Sequence, residues 1–560
     1  MSSEPEALHS SVFAEAALHM PDILGEIFPL CSIETQEAAT HVCMAWRRLT
    51  LGPVWRVVHK PLKLLNALST LNEDRKNFQS VPTPDDWRSF EPVASCVKEI
   101  VVDFHSKYIA KAIVQALFRS ACVPKPMCAN LERFTWKLHD ASNAAFTHPL
   151  HMIFLHPGLS SLQLHGIPKG ISDASVHYRL EDLARAVGNL APNITDLTIT
   201  TRTIPISDRT ASMGLHIAHV FPLLRHLRTV KLSPCFLTGP VYEALRYATH
   251  LESLVAYIDY DPKLRIPSAG DVGRSLEHYV PPRIPQPAFT SLTDITLCMP
   301  IEMATGLLSL AHFPAAQLTR LSVRSTGQVI VSNQAVKAFF RAFCLHCPHA
   351  AKLIIMLDHP IHPPPVLEDD MQDIDLLDAQ TLDPLRDAVQ LEELVIRDSR
   401  GLIEATEDEL LNIMEPLVRL KTLWIAPAPQ WQTETRAPGP TYTMGTAKRL
   451  IDGHPDLRSL GLYADLLYKF DWQVEDPEPG QLTDLFLGTS PPHPIVLGDE
   501  IAMNLATTSR VRPLACSSWY QWGFDKGVFV VEDIEEVLVD GWTEMRFSDR
   551  GNQYAVPRRS

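Results

Sequence analysis

The sequence predicts an α/β protein: an N-terminal three-helix segment, then an irregular repeat solenoid with a parallel β-sheet on its concave face and helices outside. Two observations carry this. A strand phrase of the form apolar, two residues, apolar, one residue, apolar recurs along most of the chain, with helical patterns between its copies. Ahead of the first copy, residues 17–60 carry two amphipathic helical patterns with more apolar surface than so short a unit can bury alone.

The 560 residues are 46% hydrophobic and 21% charged, ordinary for a globular chain long enough to hold more than one module. Forty-five prolines against 24 glycines predict many proline-punctuated loops. A net charge of −15 argues against a general nucleic-acid surface. No apolar run is long enough to span a bilayer, so no membrane partner is expected. Residues 1–16, MSSEPEALHSSVFAEA, are acidic and lack a basic n-region. They read as a disordered tail rather than a signal or transit peptide. Ten cysteines without framework spacing read as reduced thiols, and the expected location is cytoplasmic and/or nuclear.

The N-terminal elements follow from local chemistry. Pro21 suits the first turn of a helix, where its missing N–H costs nothing. Ile23, Leu24, Ile27 and Phe28 form an apolar stripe that Pro29 ends. A second helix starting near Glu34 or Thr35 sets Ala39, Val42, Cys43, Trp46 and Leu49 at helical spacing, with Arg47 and Arg48 on the wet side. Gly52-Pro53 is expected to break it, and Val54 and Trp55 return an anchor to the cluster.

Met20-Pro21, the run from Asp22 to Phe28, Val42-Cys43-x-x-Trp46-Arg47 and Pro53-x-Trp55-Arg56 occur in an order that resembles an F-box. Asp86-Trp87-Arg88-Ser89-Phe90, with Val97, Ile100 and Val102 after it, looks like the segment C-terminal to the F-box in fungal F-box/leucine-rich-repeat proteins. Gln36 and His41 depart from the family's apolar pattern. The resemblance implies binding of a Skp-type adaptor, and through it cullin and RING subunits of a ubiquitin ligase. The positions it carries over for adaptor contact are Pro21, Ile23, Leu24, Ile27, Val42, Cys43 and Trp46, some of which must instead hold the helices together. A three-helix cap for the rest of the fold is the alternative.

The expected organisation is F-box at 17–60, helical linker at 61–92, leucine-rich-repeat solenoid at 93–497 and C-terminal cap at 498–560. Copies of the phrase run from Leu131/Phe134/Trp136 to Leu482/Leu485/Leu487, with Val97/Ile100/Val102 as a degenerate first copy. Successive copies start between 24 residues apart (Leu227 to Leu251) and 41 apart (Leu251 to Leu292). The period-two end of each copy makes a short strand. Val241–Thr249, Asn333–Cys344 and Asp408–Val418 read as intervening helices. Turn phrases such as Cys347-Pro348-His349 and Pro455-Asp456-Leu457 look like those of leucine-rich repeats. The Pro- and Arg-rich stretch 262–287 and the proline-rich, then acidic stretch 359–383 read as surface insertions. The tail needs to cover the open end of the array, which assigns it as a cap.

Catalytic motifs are missing: no nucleophile elbow, Walker loop, dinucleotide glycine fingerprint or His-Glu-x-x-His helix. Cys344, His346, Cys347 and His349 sit close together as potential zinc ligands, but a second pair at suitable spacing is absent and the turn reading is stronger. No cofactor or metal is expected. Asn193-Ile194-Thr195 matches a glycosylation acceptor but sits in a repeat turn.

Within a strand, the residue between the last two apolar positions and the one after them point out from the sheet. Early copies offer Gln163, His165, Thr198, Thr200, Lys231 and Ser233 there. Later copies offer Arg324, Arg397, Trp424, Tyr463 and Phe486, the residue types that anchor protein interfaces. These five are the expected target-binding residues. The expected function is a non-catalytic substrate receptor of a cullin–RING ligase. A leucine-rich-repeat scaffold that binds the adaptor outside a ligase is the alternative, and an enzyme with an unfamiliar site is a third.

Overall fold

Backbone hydrogen bonds at the strand entrances show how the repeat is built. The carbonyl of Lys98 accepts from the N–H groups of both Glu132 and Arg133, that of Glu132 from Ser160 and Ser161, and that of Ser160 from Thr195 and Asp196. The pattern returns at Thr319, Ala351, Glu392 and Lys421. Each copy thus fixes the starting point of the next strand, which keeps the register constant although the insertions between copies vary in length.

The computed structural model describes residues 20–73, 77–103, 111–120, 126–137, 151–167, 183–201, 214–215, 217–256, 288–326, 331–358, 377–398, 403–425, 442–462, 464–465, 484–486 and 512–513. The chain divides into two units. One holds the residues up to Glu252 together with Phe289–Ser291; the other holds Ser253–Ala256 and the residues from Leu292 onward.

In the first unit the strands are β1 (Val57–Val58), β2 (Glu99–Asp103), β3 (Arg133–Lys137), β4 (Ser161–Ile167), β5 (Asp196–Thr201) and β6 (Thr229–Leu232). Each pairs in parallel with the next. The second unit holds β7 (Ser253–Ala256), β8 (Asp294–Cys298), β9 (Arg320–Thr326), β10 (Lys352–Asp358), β11 (Glu393–Asp398), β12 (Thr422–Ile425), β13 (Ser459–Leu462), β14 (Asp484–Phe486) and β15 (Arg512–Pro513), again all parallel neighbours. The α/β class and the parallel sheet therefore match the expectation.

The phrase is an inward-facing set. From Val97/Ile100/Val102 to Leu457/Leu460/Leu462, every apolar position is buried. A further buried slot lies three residues before most copies, filled by Cys128, His156, Ala191, Leu224, Ala248, Phe289, Ala315, Cys347, Leu417 and His454. Most of these close a turn with the first residue of the phrase, as in Ala350 N–H to Cys347 O and Leu457 N–H to His454 O. His454 also ties two copies together, its ring nitrogens lying 2.8 Å from Leu450 O and 3.0 Å from Met414 O. Asn193 donates through Nδ2 to Pro157 O of the preceding turn, so the acceptor-like triplet belongs to the turn structure. Helices lie between strands, including Gly239–Leu245, Asn333–His346 and Glu407–Met414. The last is closed by a capping box between Thr406 and Glu409.

The N-terminal segment departs from the reading in two places. It contains three helices, α1 (Pro21–Ile27), α2 (Ile33–Ala39) and α3 (Met44–Arg56), where the sequence pattern ran α2 and α3 together. A turn at 40–43 separates them, and Cys43 caps α3 by accepting from Trp46 N–H. Pro53 sits inside α3 instead of breaking it. One backbone bond is forgone, while burial of Val54 holds the last turn in place. The sheet also starts earlier than residue 93, because β1 comes directly after α3. Helices Pro61–Leu68 and Pro84–Cys96 occupy the linker, and the indole N–H of Trp87 bonds Ser120 Oγ at 3.1 Å. Further on, residues 377–383, read as part of an insertion, form a short strand, Leu377–Asp378, and a helix, Ala379–Leu382. The tail 1–16, the insertion 262–287, residues 359–376 and, apart from Arg512–Pro513, the cap at 498–560 lie outside the described residues.

Candidate docking surfaces

The helical segment closes a small core and leaves much of its apolar surface outside. Leu24 and Phe28 of the first turns join Ala39 in a buried cluster, against which Trp46 and Leu49 pack. Trp46 stands edge-on to Phe28 with ring centroids 5.3 Å apart. Gln36 is buried beside them. Its Nε2 donates to Phe28 O at 2.8 Å and to Cys31 O at 2.9 Å, pinning the turn between α1 and α2. The departure of Gln36 from an apolar pattern is thus a structural feature: an apolar side chain there forfeits both bonds. Lys63 pairs with Glu37 and lies 5.1 Å from the Trp55 ring centroid, joining its own helix to α2 and α3.

The seven residues carried over by resemblance divide in two. Leu24, 3% exposed, is core, and Trp46 is half-buried against it. Both hold the helices together. Ile23 (40% exposed), Ile27 (44%) and Val42 (60%) stay exposed, as do Pro21 and Cys43. The split reflects helix geometry: Ile23 and Ile27 share one face of α1, and Leu24 and Phe28 the neighbouring one. Leu30, 87% exposed, and the exposed Ile33 and Met44 extend the apolar surface. Sequence reading missed these three, although Ile33 and Met44 open helices where no core-facing spacing claims them.

A second surface is the outward face of the sheet in the second unit. Its lower row is set by register: Ser322 beside Ile354, Ile354 beside Val395, Val395 beside Trp424, and Trp424 beside Gly461. One outward step along, Met356 lies between Arg324 and Arg397. Two strand spacings put the backbones of these arginines about 10 Å apart. Trp424 is half-buried, donates from Nε1 to Ser459 Oγ at 2.8 Å, and leans over Gly461. A Cβ on Gly461 would fall 2.9 Å from Trp424 Cγ, so glycine makes room for the indole. The register brings together three of the five expected target-binding residues, Arg324, Arg397 and Trp424. Sequence reading missed the half-buried Ile354 and Met356 on the same face, and Val395, which is buried between Ile354 and Trp424. Phe486 is described in backbone only, opposite Gly461 in β14, and Tyr463 lies outside the described residues.

The charges on these strands are arranged unevenly. At the entrances, Arg320 pairs with Asp294 at 3.9 Å, Lys352 with Glu393 at 2.8 Å, and Lys421 with Glu392 at 2.7 Å. The Lys421 ammonium holds the Glu392 carboxyl below its usual range. In the row of Arg324, Met356 and Arg397 the described side chains are cationic or apolar. Asp398, next in sequence to Arg397, is buried on the inward side.

The corresponding face of the first unit is polar and internally linked. His165 lies 3.2 Å from Thr200 Oγ1 and 3.3 Å from Gln163 Oε1, which accepts from Thr135. Thr198, Thr200 and Ser233, expected as outward readers, are buried.

The Cys344–His349 cluster resolves into repeat structure. Cys347 occupies the inward slot that Ala, Leu or Phe fills in other copies, and Cys344 Sγ donates to Pro384 O at 3.1 Å. Burial pushes both thiols up to about 12. Among the described residues no three or more His, Cys, Asp or Glu side chains group to hold a metal, and no helix is long and apolar enough to cross a membrane.

No family model matches the chain, and neither does the sequence of any curated protein. Similar solved structures include TLR13 in its complex with ssRNA13, with a TM-score of 0.35 and 13% identity over 78% of this chain and 53% of that one. This chain therefore spans about half the length of that relative. The complex of Rad7 and Elc1 in yeast has a TM-score of 0.34 and 12% identity, over 87% of this chain and 98% of that one. The leucine-rich repeat-containing protein LegL7 from Legionella pneumophila has 0.29 and 12%, over 59% and 89%.

Proposed function

We propose that this chain is a non-catalytic substrate receptor of a cullin–RING ubiquitin ligase, acting in the cytoplasm or nucleus. Its N-terminal helices dock a Skp-type adaptor, and the outward sheet face of the second unit holds a target protein. The observation that carries the reading is the exposed apolar set Ile23, Ile27, Leu30, Ile33, Val42 and Met44 on a segment whose own core is already closed. Such a surface on a small helical unit marks a protein contact. The F-box-like order of motifs in the same segment names the adaptor. The mechanism is proximity: a bound target raises the effective concentration of its lysines near the ubiquitin carrier delivered by other subunits, and the receptor needs no catalytic group of its own.

The test is co-expression of the full chain with a Skp-type adaptor and cullin. The adaptor and cullin are expected to co-purify with the wild-type chain and not with Ile27→Asp/Met44→Asp, with Trp424→Ala as a control that keeps both. Adaptor without cullin would favour a scaffold outside a ligase. No adaptor with the wild-type chain would end the proposal.

A further inference from the structure

Resting on the reading of the N-terminal helices as the adaptor-docking segment, we infer that this surface is electrically two-sided. It fits a partner contact with basic side chains opposite α1 and acidic ones opposite α3. Residues 20–40 hold four carboxylates, Asp22, Glu26, Glu34 and Glu37, and no Lys or Arg. Residues 41–72 hold Arg47, Arg48, Arg56, Lys60 and Lys63, and no Asp or Glu. The sign changes at the turn between α2 and α3, and exposed apolar residues of the docking surface lie before and after it.

Some of these charges are held by the fold. Glu37 pairs with Lys63, Glu34 is hydrogen-bonded to Ser32, and Arg56 lies near Glu132. Lys60 is exposed beyond β1. On the helix Pro84–Cys96, which packs against α3, Asp85 pairs with Arg88 and Asp86 caps the helix through Thr83. Glu91 of that helix is exposed and makes no ion pair with α3 among the described residues. Asp22 and Glu26 on α1 and Arg47 and Arg48 on α3 remain, all four exposed and none in an ion pair among the described residues. Each pair adjoins the docking surface. Asp22 and Glu26, four residues apart, form the row beside Ile23 and Ile27. Arg47 and Arg48 come three and four residues after Met44, on its side of α3. The free helix gains little from these placements: Asp22 and Glu26 are like charges at i and i+4, and Glu26 sits in the last turn, where the helix dipole disfavours a carboxylate. Opposite charges on a partner relieve both costs. An apolar contact rimmed this way also fixes orientation, because a partner turned end for end meets like charge at both rims. Such charges act during encounter, so their effect lies in the association rate and is screened by salt.

The experiment is stopped-flow association of a purified Skp-type adaptor with the full chain, from low to high salt. The variants are Asp22→Lys/Glu26→Lys, Arg47→Glu/Arg48→Glu and Arg47→Lys/Arg48→Lys. Each reversal is expected to slow association about tenfold at low salt, with the difference shrinking as salt rises and dissociation changed far less. The lysine pair keeps the charge and should associate like the wild-type chain. If the wild-type chain binds and either reversal leaves association unchanged or speeds it, the two-sided surface is overturned and the docking reading stands. No adaptor binding by the wild-type chain ends the docking reading, and the inference with it. A wild-type dimer in sedimentation that both reversals dissolve and the adaptor does not displace would assign the surface to a second copy and overturn the inference as well. Unchanged melting shows that a variant is folded. Where a reversal lowers it, Asp22→Asn/Glu26→Gln or Arg47→Gln/Arg48→Gln takes its place, with slowing of about threefold expected.

Discussion

The N-terminal helices and the repeats solve the same problem in opposite ways. In the copies from Val97 to Leu462 every apolar position of the phrase is turned inward, and the turns add one more buried slot in most of them. In residues 20–56 a small cluster of Leu24, Phe28 and Ala39 with Trp46 and Leu49 against it, and the buried Val54, form the inside, and more large apolar side chains lie outside than in. A repeat array satisfies its apolar surface with its own neighbours. The helical segment does not, and its stability and its binding are therefore carried by different residues. That separation is what mutation can test.

The largest expected effect is in the array. Leu423→Ala removes a fully buried side chain from β12 and should cost about 2–5 kcal/mol in urea unfolding. A cost below about 1 kcal/mol would mean that the phrase is not a packed core. Phe28→Ala should cost about 3 kcal/mol, read as faster hydrogen exchange confined to residues 20–56. If exchange also rises in the repeats of the first unit, the helices are part of the same cooperative core and the contrast fails.

Gly461→Ala should cost about 1–3 kcal/mol by pushing its new methyl into Trp424. In a Trp424→Ala background the same change should be near neutral. A double-mutant cycle measures the coupling, and additive effects would show that the indole does not lean on Gly461.

Alkaline pH offers a smaller probe of the inward slots. Burial pushes the Cys128 and Cys347 thiols up to about 12. The unfolded chain releases these protons from about pH 8.5 upward. Above that pH the unfolded state binds fewer protons than the folded one, so this contribution is intact below about pH 8.5 and is lost as pH rises toward about 12. Urea midpoints of wild type and Cys347→Ala should converge across that window; parallel curves would show an accessible thiol. Ile27→Asp should have the smallest effect on stability, within about 0.5 kcal/mol, because the side chain is already exposed.

The array was readable because one phrase repeats. Its strands from β2 to β14, their parallel order and the inward set come from spacing, whereas β1 and β15 carry no copy of the phrase. The helical segment was harder. The apolar spacing from Ala39 to Leu49 ran on as one helix, since periodicity does not report that Cys43 caps a new one. Leu24 and Ile27 look alike as sequence, and only the packing of Phe28 against Trp46 decides which faces in. Gln36 looked like a flaw because its two carbonyl partners, eight and five residues earlier, form no local pattern. On the sheet face, alternation pointed to Arg324, Arg397 and Trp424. Their common surface, and Met356 between the two arginines, needed the register across insertions of unequal length.

The central claim is tested most directly by titrating a purified Skp-type adaptor into the full chain by calorimetry, beside Ile27→Asp/Met44→Asp. The account predicts stoichiometric binding to the wild-type chain and its loss in the variant, with the melting temperature of the variant unchanged. Equal adaptor affinity for both, or binding to neither, would contradict it.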